Sequence, residues 1–253
     1  LKMGKNVFLT GAAGSGKTYV LNQYISYLKK HHIPVAITAS TGIAATHMNG
    51  KTIHSWAHIG IKEYLTATDL QHLFKRKEHR QAIAEAKVLI IDEVSMLHHF
   101  RLDMVDAVLR KVHGKDEAFG GIQVVLCGDL FQLPPVTRGG RAQYVTEADV
   151  WDKMQIHICY LTEQYRHEDD ALSQLLNEMR AGEVSEQSLE RLQTRKGAAL
   201  KTKVVPTRLF THNADVDAIN QAELESLPGD AKTYTMTHRG DRSLVKTLAN
   251  NCL

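Results

Sequence analysis

The sequence has 253 residues, 43% hydrophobic and 23% charged. That is a globular balance, long enough for one large domain or two smaller ones and unlike a disordered or fibrous chain. Lys and Arg number 31 against 28 Asp and Glu, a formal charge of +3, too small a surplus to argue nucleic-acid binding from charge alone.

The opening residues, Leu1 to Asn6, are polar and lack the apolar core of a secretory signal. A strand is expected at 6–10, a helix at 16–30, and further strands at 35–38, 88–91 and 124–127. Short apolar strands alternating with longer helical patterns are the arithmetic of a parallel α/β sheet. Each strand ends in Gly, Thr, Ser or Asp, where such sheets place ligand loops. Residues 59–86 are polar and basic and read as a small helical insertion. Its Lys75, Arg76, Lys77 and Arg80 suit either phosphate contacts or a solvated charged face.

After Leu161 the pattern turns helical, at 171–180 with Gly182 as a stop and at 185–195. A strand at 208–211 and a helix at 214–224 make one βα unit, which needs partner strands to be covered. Cys127, Cys159 and Cys252 form no CxxC pair and read as thiols in a reducing compartment. No apolar run approaches the ~18 residues of a membrane span. A soluble intracellular chain is the expectation.

Residues 11–18, Gly-Ala-Ala-Gly-Ser-Gly-Lys-Thr, match G-x-x-x-x-G-K-[ST] between an expected strand and an expected helix, the context of a phosphate-binding loop. Gly11, Gly14, Ser15 and Gly16 would close backbone N–H groups around phosphate oxygens at a helix N-terminus. Lys17 would reach the β- and γ-phosphates and Thr18 would ligate Mg²⁺. Four apolar residues then deliver Asp92 and Glu93. Asp92 can hold magnesium and Glu93 can take a proton from an attacking water, a pairing that favours ATP hydrolysis. A third apolar strand leads to Gly128, Asp129 and Gln132, whose amide can meet both the γ-phosphate and the lytic water.

The blocks FLTGAAGSGKT (8–18), TASTGIAATHMNGKTIHSW (38–56), IIDEVSMLHHFRLDMVDAVLRKV (90–112), FGGIQVVLCGDLFQLPPV (119–136), LTEQYRH (161–167) and LFTHNADVDAIN (209–220) follow in order. Together they resemble the petite integration frequency (PIF) family of superfamily 1B DNA helicases, related to RecD. The resemblance implies an ATP-driven motor moving 5′ to 3′ on single-stranded DNA and unwinding forked or structured DNA. It also implies roles in DNA repair, recombination and telomere maintenance. By fold it implies a RecA-like P-loop NTPase domain over 1–160, with a wedge inserted at about 59–86. Residues 161–253 would be linker helices and an incomplete second RecA-like domain.

Carried over residue by residue, the resemblance gives Lys17, Glu93, Gln132 and Arg166 catalytic roles. Arg166 completes the site from the far side of the cleft; outside the motif it would be a surface Arg paired with Glu168 or Asp169. Thr41, Thr52 and His54 fall in the family's DNA-contacting segments, and hydroxyl and imidazole donors suit phosphate oxygens. Trp56 could stack on a base, but the core is its expected place. The family's adenine-contacting segment upstream of the first strand and its last two motifs have no counterpart here, so an amino-terminal fragment is expected. Such a fragment would unwind DNA poorly, or act as an ATP- and DNA-binding module with little turnover. An unrelated P-loop ATPase or kinase explains neither Gln132 with Arg166 nor the ordered blocks. A monomer is expected, with a single-stranded-DNA-binding protein as a further partner. The compartment would be the bacterial cytoplasm and nucleoid, or the nucleus or mitochondrion in a eukaryote.

Overall fold

The computed structural model describes residues 1–60, 62–75, 77–137, 139–165, 170–198, 207–210, 213–230, 232–235 and 237. The chain divides into two compact units, Leu1–Thr194 and Arg195–Leu253. In the first unit, strands β1 (Val7–Gly11), β2 (Val35–Ala39), β3 (Lys51–Thr52), β4 (Val88–Asp92), β5 (Gln123–Cys127) and β6 (His157–Leu161) form one sheet in the order β3-β2-β4-β5-β1-β6. Every pairing is parallel.

The strands β1, β4 and β5 are buried at every position, which is why they read as unbroken apolar runs and not as alternations. Their side chains still alternate in space. Phe8, Leu89, Ile91, Val124 and Leu126 join one core cluster, while Leu9, Val88, Ile90, Val125 and Cys127 join another. Helix α1 (Lys17–Lys30) covers the second cluster with Leu21, Tyr24, Ile25 and Leu28, spaced as one helical face. Tyr24 also donates its hydroxyl to Gln123 Oε1 at 2.7 Å, so the buried polar end of α1 is satisfied.

The first cluster is filled by α6 (His99–His113) through Leu102, Val105, Val108 and Leu109. Short helices α2 (Gly42–His47) and α3 (Ile53–Trp56) flank β3, and α4 (Ala67–Lys75) and α5 (Lys77–Glu85) occupy the polar, basic stretch. Trp56 lies in the core, 9% exposed. Helix α7 (Asp149–Lys153) precedes β6, and α8 (Asp170–Ala181) and α9 (Glu186–Arg195) follow it.

The sequence carried no expectation of two of these strands. β3 is two residues long, too short for any period to register, and β6 is an exposed edge strand whose residues mix His, Ile, Cys and Tyr. In the second unit α10 spans Asn213–Ser226. Residues 207–210 form no strand, and Thr211 lies outside the described residues. A short extended segment becomes a strand only where a neighbour completes its backbone hydrogen bonds. Among the described residues no helix is long and apolar enough to cross a membrane.

Leu89 is fully buried on the central strand β4, whereas Ile43 is 77% exposed. Leu89→Ala should therefore cost about 2–5 kcal/mol of unfolding free energy, and Ile43→Ala no more than about 0.5 kcal/mol. Urea denaturation of the two variants checks the contrast.

Candidate active site

The turn between β1 and α1 is held open by glycines. Gly11 has φ +152°, and a Cβ there would lie 2.6 Å from the Leu161 carbonyl oxygen and 2.7 Å from Ser15 Oγ. Gly14 and Gly16 have φ of +80° and +83°, conformations that let successive N–H groups converge on an anion. Gly16 is also the N-cap of α1 and offers no side chain to cap it, leaving the helix's first N–H groups to other partners. Ser15 is 4% exposed, and its hydroxyl has no hydrogen-bond partner among the described residues. An orphaned hydroxyl inside such a turn, at the start of a long helix, fits a bound phosphate. The Lys17 ammonium sits over the same loop, donating to the carbonyls of Gly11 at 2.8 Å and Ala12 at 2.9 Å.

Asp92 ends β4 and is 7% exposed. Its Oδ1 accepts the Glu93 N–H at 2.9 Å. Glu93 itself takes the left-handed conformation, φ +53° and ψ +44°, an unusual state for a residue with a side chain. Ser40 Oγ donates to the Glu93 carbonyl at 2.6 Å, which helps to hold it there. Burial pushes the Glu93 carboxyl above its ordinary pKa; the Asp92 carboxylate adds to this, and Lys17 opposes it. Below Asp92, burial and that same carboxylate push the Cys127 thiol up, so it remains protonated.

After β5 the chain reaches Asp129, 1% exposed. Its carboxylate accepts the Phe131 N–H at 3.2 Å and the Gln132 side-chain amide at 3.2 Å. Arg180 of α8 donates to it at 2.6 Å. Burial by itself would raise the Asp129 carboxyl, but Arg180, the Phe131 N–H and Gln132 outweigh it and hold the group below its ordinary range.

Thr18, Thr41, Asp92, Glu93 and Gln132 line one cleft of about 1070 Å³ at the carboxyl edge of the sheet. Its donor set for a divalent cation is the Thr18 hydroxyl with the Asp92 carboxylate. Among the described residues no group of three or more His, Cys, Asp or Glu could hold a metal alone. Few protein oxygens, completed by phosphate and water, is the habit of Mg²⁺, and the residues present fit it.

Of the three residues expected to touch DNA, Thr41 borders this cleft, while Thr52 and His54 lie on the next short strand and helix. Both threonines have a local task that the sequence reading missed. Thr41 caps α2 by accepting the Ala44 N–H at 3.3 Å, and Thr52 caps α3 by accepting the Ser55 N–H at 3.2 Å. Each hydroxyl keeps a proton to donate. Burial lowers the pKa of His54, with Arg101 and His98 adding to the effect, so at neutral pH it is an uncharged imidazole. In the basic stretch Lys75, Lys77 and Arg80 are exposed; Arg76 is outside the described residues.

A second pocket, about 710 Å³, adjoins the phosphate loop and is bordered by Ser15, Gly16, Tyr19, Tyr160 and Tyr165. Tyr160 and Tyr165 are far from Tyr19 in sequence and meet it because β6 pairs with β1, Leu161 opposite Gly11. Tyr19, next to Thr18, and Tyr165, next to Arg166, carried a hint in their positions; Tyr160 carried none. The Tyr165 N–H donates to the Gly14 carbonyl at 2.9 Å, docking the segment that leads to Arg166 on the phosphate loop. Arg166, like Glu168 and Asp169, lies outside the described residues.

The model of the PIF1-like helicase family matches residues 1–190. The ATP-dependent DNA helicase Pif1 of a Psychrobacter species is 49% identical over 259 residues, covering 98% of this chain and 39% of that protein. The chain thus spans about two-fifths of this curated relative. Among solved structures, Pif1 helicase from Candida albicans superposes with a TM-score of 0.86 at 31% identity, over 99% of this chain and 58% of that one. Bacteroides Pif1 bound to single-stranded DNA gives 0.74 at 34% identity, over 88% of this chain and 54% of that one.

The glycines of the loop are unequal. A Cβ on Gly11 strikes backbone, whereas one on Gly16 meets only the Tyr165 ring at 4.0 Å. Gly11→Ala should cost about 1–3 kcal/mol from overpacking in addition to its backbone strain, and Gly16→Ala about 1–2 kcal/mol from backbone strain alone. Comparing the urea midpoints of the two variants tests the order.

Proposed function

The chain belongs to the PIF1-like helicase family, and on that premise we propose that it binds and hydrolyses ATP to drive DNA unwinding. The observation that carries this reading is the convergence of Thr18, Asp92, Glu93 and Gln132, from three separate segments, on one cleft beside the phosphate loop. ATP would lie with its phosphates over Gly11, Gly14, Ser15 and Gly16, its charge met by Lys17, and its base in the tyrosine-lined pocket. Mg²⁺, when bound, would neutralise charge on the phosphates, and Thr18 and Asp92 would hold it. Glu93 would act as the general base. Its half-buried carboxylate, raised in pKa by its surroundings, is a better proton acceptor than a solvated one. Gln132 would orient the attacking water, and Arg166 would stabilise the transferring phosphoryl group.

Single-stranded DNA is the proposed track, contacted by Thr41, Thr52 and His54 through phosphate oxygens, without reading sequence. Movement would run 5′ to 3′. The division of labour would follow the family plan, with residues 1–160 as the first RecA-like lobe and 59–86 as a wedge. Residues 161–253 would be linker helices and part of a second lobe.

Steady-state ATP hydrolysis with and without a single-stranded oligonucleotide is the decisive experiment. Turnover should rise with DNA, and Lys17→Ala should lower it on the order of 100-fold or more. Glu93→Gln should cost roughly 10²- to 10⁴-fold while nucleotide binding persists. DNA-independent turnover, or activity indifferent to Lys17, would remove the motor reading. Unwinding of duplexes with a 5′ tail and not a 3′ tail tests the polarity.

The proposed base also predicts a pH profile. Glu93 works only when ionised, and burial raises its pKa. Hydrolysis should therefore be full at higher pH and fall as pH drops through a value above the ~4.3 of a free glutamate. An acid limb at or below that value would contradict the assignment.

A further inference from the structure

The loop that carries Gln132 is held from outside the cleft by a residue of α8. Arg180 donates through Nη1 to Asp129 Oδ2 at 2.6 Å, and its side chain is 19% exposed against 1% for the carboxylate. Its other nitrogen, Nη2, reaches the Tyr160 hydroxyl at 3.5 Å. The guanidinium also lies over the Phe131 ring, 4.5 Å from its centroid. Gln132 meets the same carboxylate oxygen, donating to Oδ2 at 3.2 Å, and its backbone N–H donates to the Asp129 carbonyl at 2.9 Å.

We propose that Arg180 is a positioning residue for the hydrolytic site: through Asp129 it sets the loop that carries Gln132, and through Tyr160 it links that loop to the tyrosine-lined pocket. The inference rests on the reading of Gln132 as the residue that orients the attacking water. A carboxylate buried this deeply needs a counter-charge. Arg180 supplies it with a planar fork that pairs with a carboxylate, reaches a phenol and stacks on a ring at once, which lysine cannot do. Arg180 and Gln132 share Oδ2, so removing the guanidinium leaves only the Phe131 N–H and the Gln132 amide to satisfy the buried charge. The amide, already 3.2 Å from Oδ2, is then held on Asp129 more tightly and is less free to turn into the cleft. Arg180 touches no reacting atom; its effect passes through Gln132.

The test is DNA-stimulated ATP hydrolysis by the full-length protein carrying Arg180→Ala, Arg180→Lys, Gln132→Ala and the double variants, with thermal melting of each. Arg180→Ala should lower kcat about tenfold or more and change KM for ATP less than about threefold, yet lower kcat less than about twofold in the Gln132→Ala background. Its effect on the melting temperature should be the same in both backgrounds. Arg180→Lys keeps the charge without the fork and should lower kcat about threefold, again only when Gln132 is present. It carries the test if Arg180→Ala does not fold. Equal losses of kcat in both backgrounds would make Arg180 merely structural, and unchanged kcat would also overturn the proposal. If Gln132→Ala itself leaves kcat intact, the role of Gln132 falls and this inference falls with it. If Gln132→Ala lowers kcat and the Arg180 variants do not, this inference fails alone.

Discussion

All strands of the sheet run in one direction, so the chain leaves each of them at the same edge. There the ladder releases backbone groups, and the following loops can aim side chains at one another. The phosphate loop follows β1, Asp92 and Glu93 close β4, Asp129 and Gln132 follow β5, and Tyr165 lies just beyond β6. A reversed strand would carry its own segment to the opposite edge, away from the others. The central strands are buried on both faces, which gives these loops a stiff base and limits how far their side chains can drift.

The edge is also where the molecule concentrates charge that its interior disfavours. Asp92, Glu93 and Asp129 come from two neighbouring strands; Asp92 and Asp129 add to burial in raising the Glu93 carboxyl while Lys17 opposes them, and at Asp129 it is Arg180 that outweighs burial. The two counter-charges divide the work. Lys17 rests on the carbonyls of its own loop and lowers the cost of ionising Glu93, whereas Arg180 neutralises Asp129 from α8. Glu93 keeps a raised pKa and Asp129 a lowered one, although both are acids withdrawn from water. The difference lies in partners, because Asp129 accepts a guanidinium and Glu93 faces a second carboxylate.

Much of this was legible in the sequence where the chemistry is local. Residues 11–18 form a continuous motif whose spacing is set by the turn, and Asp92–Glu93 announce themselves by following a buried apolar run. The strands β1, β4 and β5 were readable for the same reason, since burial on both faces demands apolar residues in succession, and β2, only partly buried at Val35 and Ile37, still reads as a short β-branched run. Trp56 was placed in the core by its type. Thr41 and Thr52, read through the family's DNA segments, turn out to cap the short helices α2 and α3. Such caps are hard to foresee when the helices are too short to show a period.

What the sequence alone determined is therefore the glycine-rich loop, the acidic pair and the parallel α/β class, each announced by a pattern of residues near in the chain. The tertiary structure decided the rest. The edge strand β6 is defined by its pairing with β1 and not by its own composition. The tyrosine pocket exists because that pairing brings Tyr160 and Tyr165 beside Tyr19. The Asp129–Arg180 pair joins residues that no periodicity connects. A local pattern is written in spacing; a contact between distant segments depends on how the elements pack, and packing is a property of the folded chain.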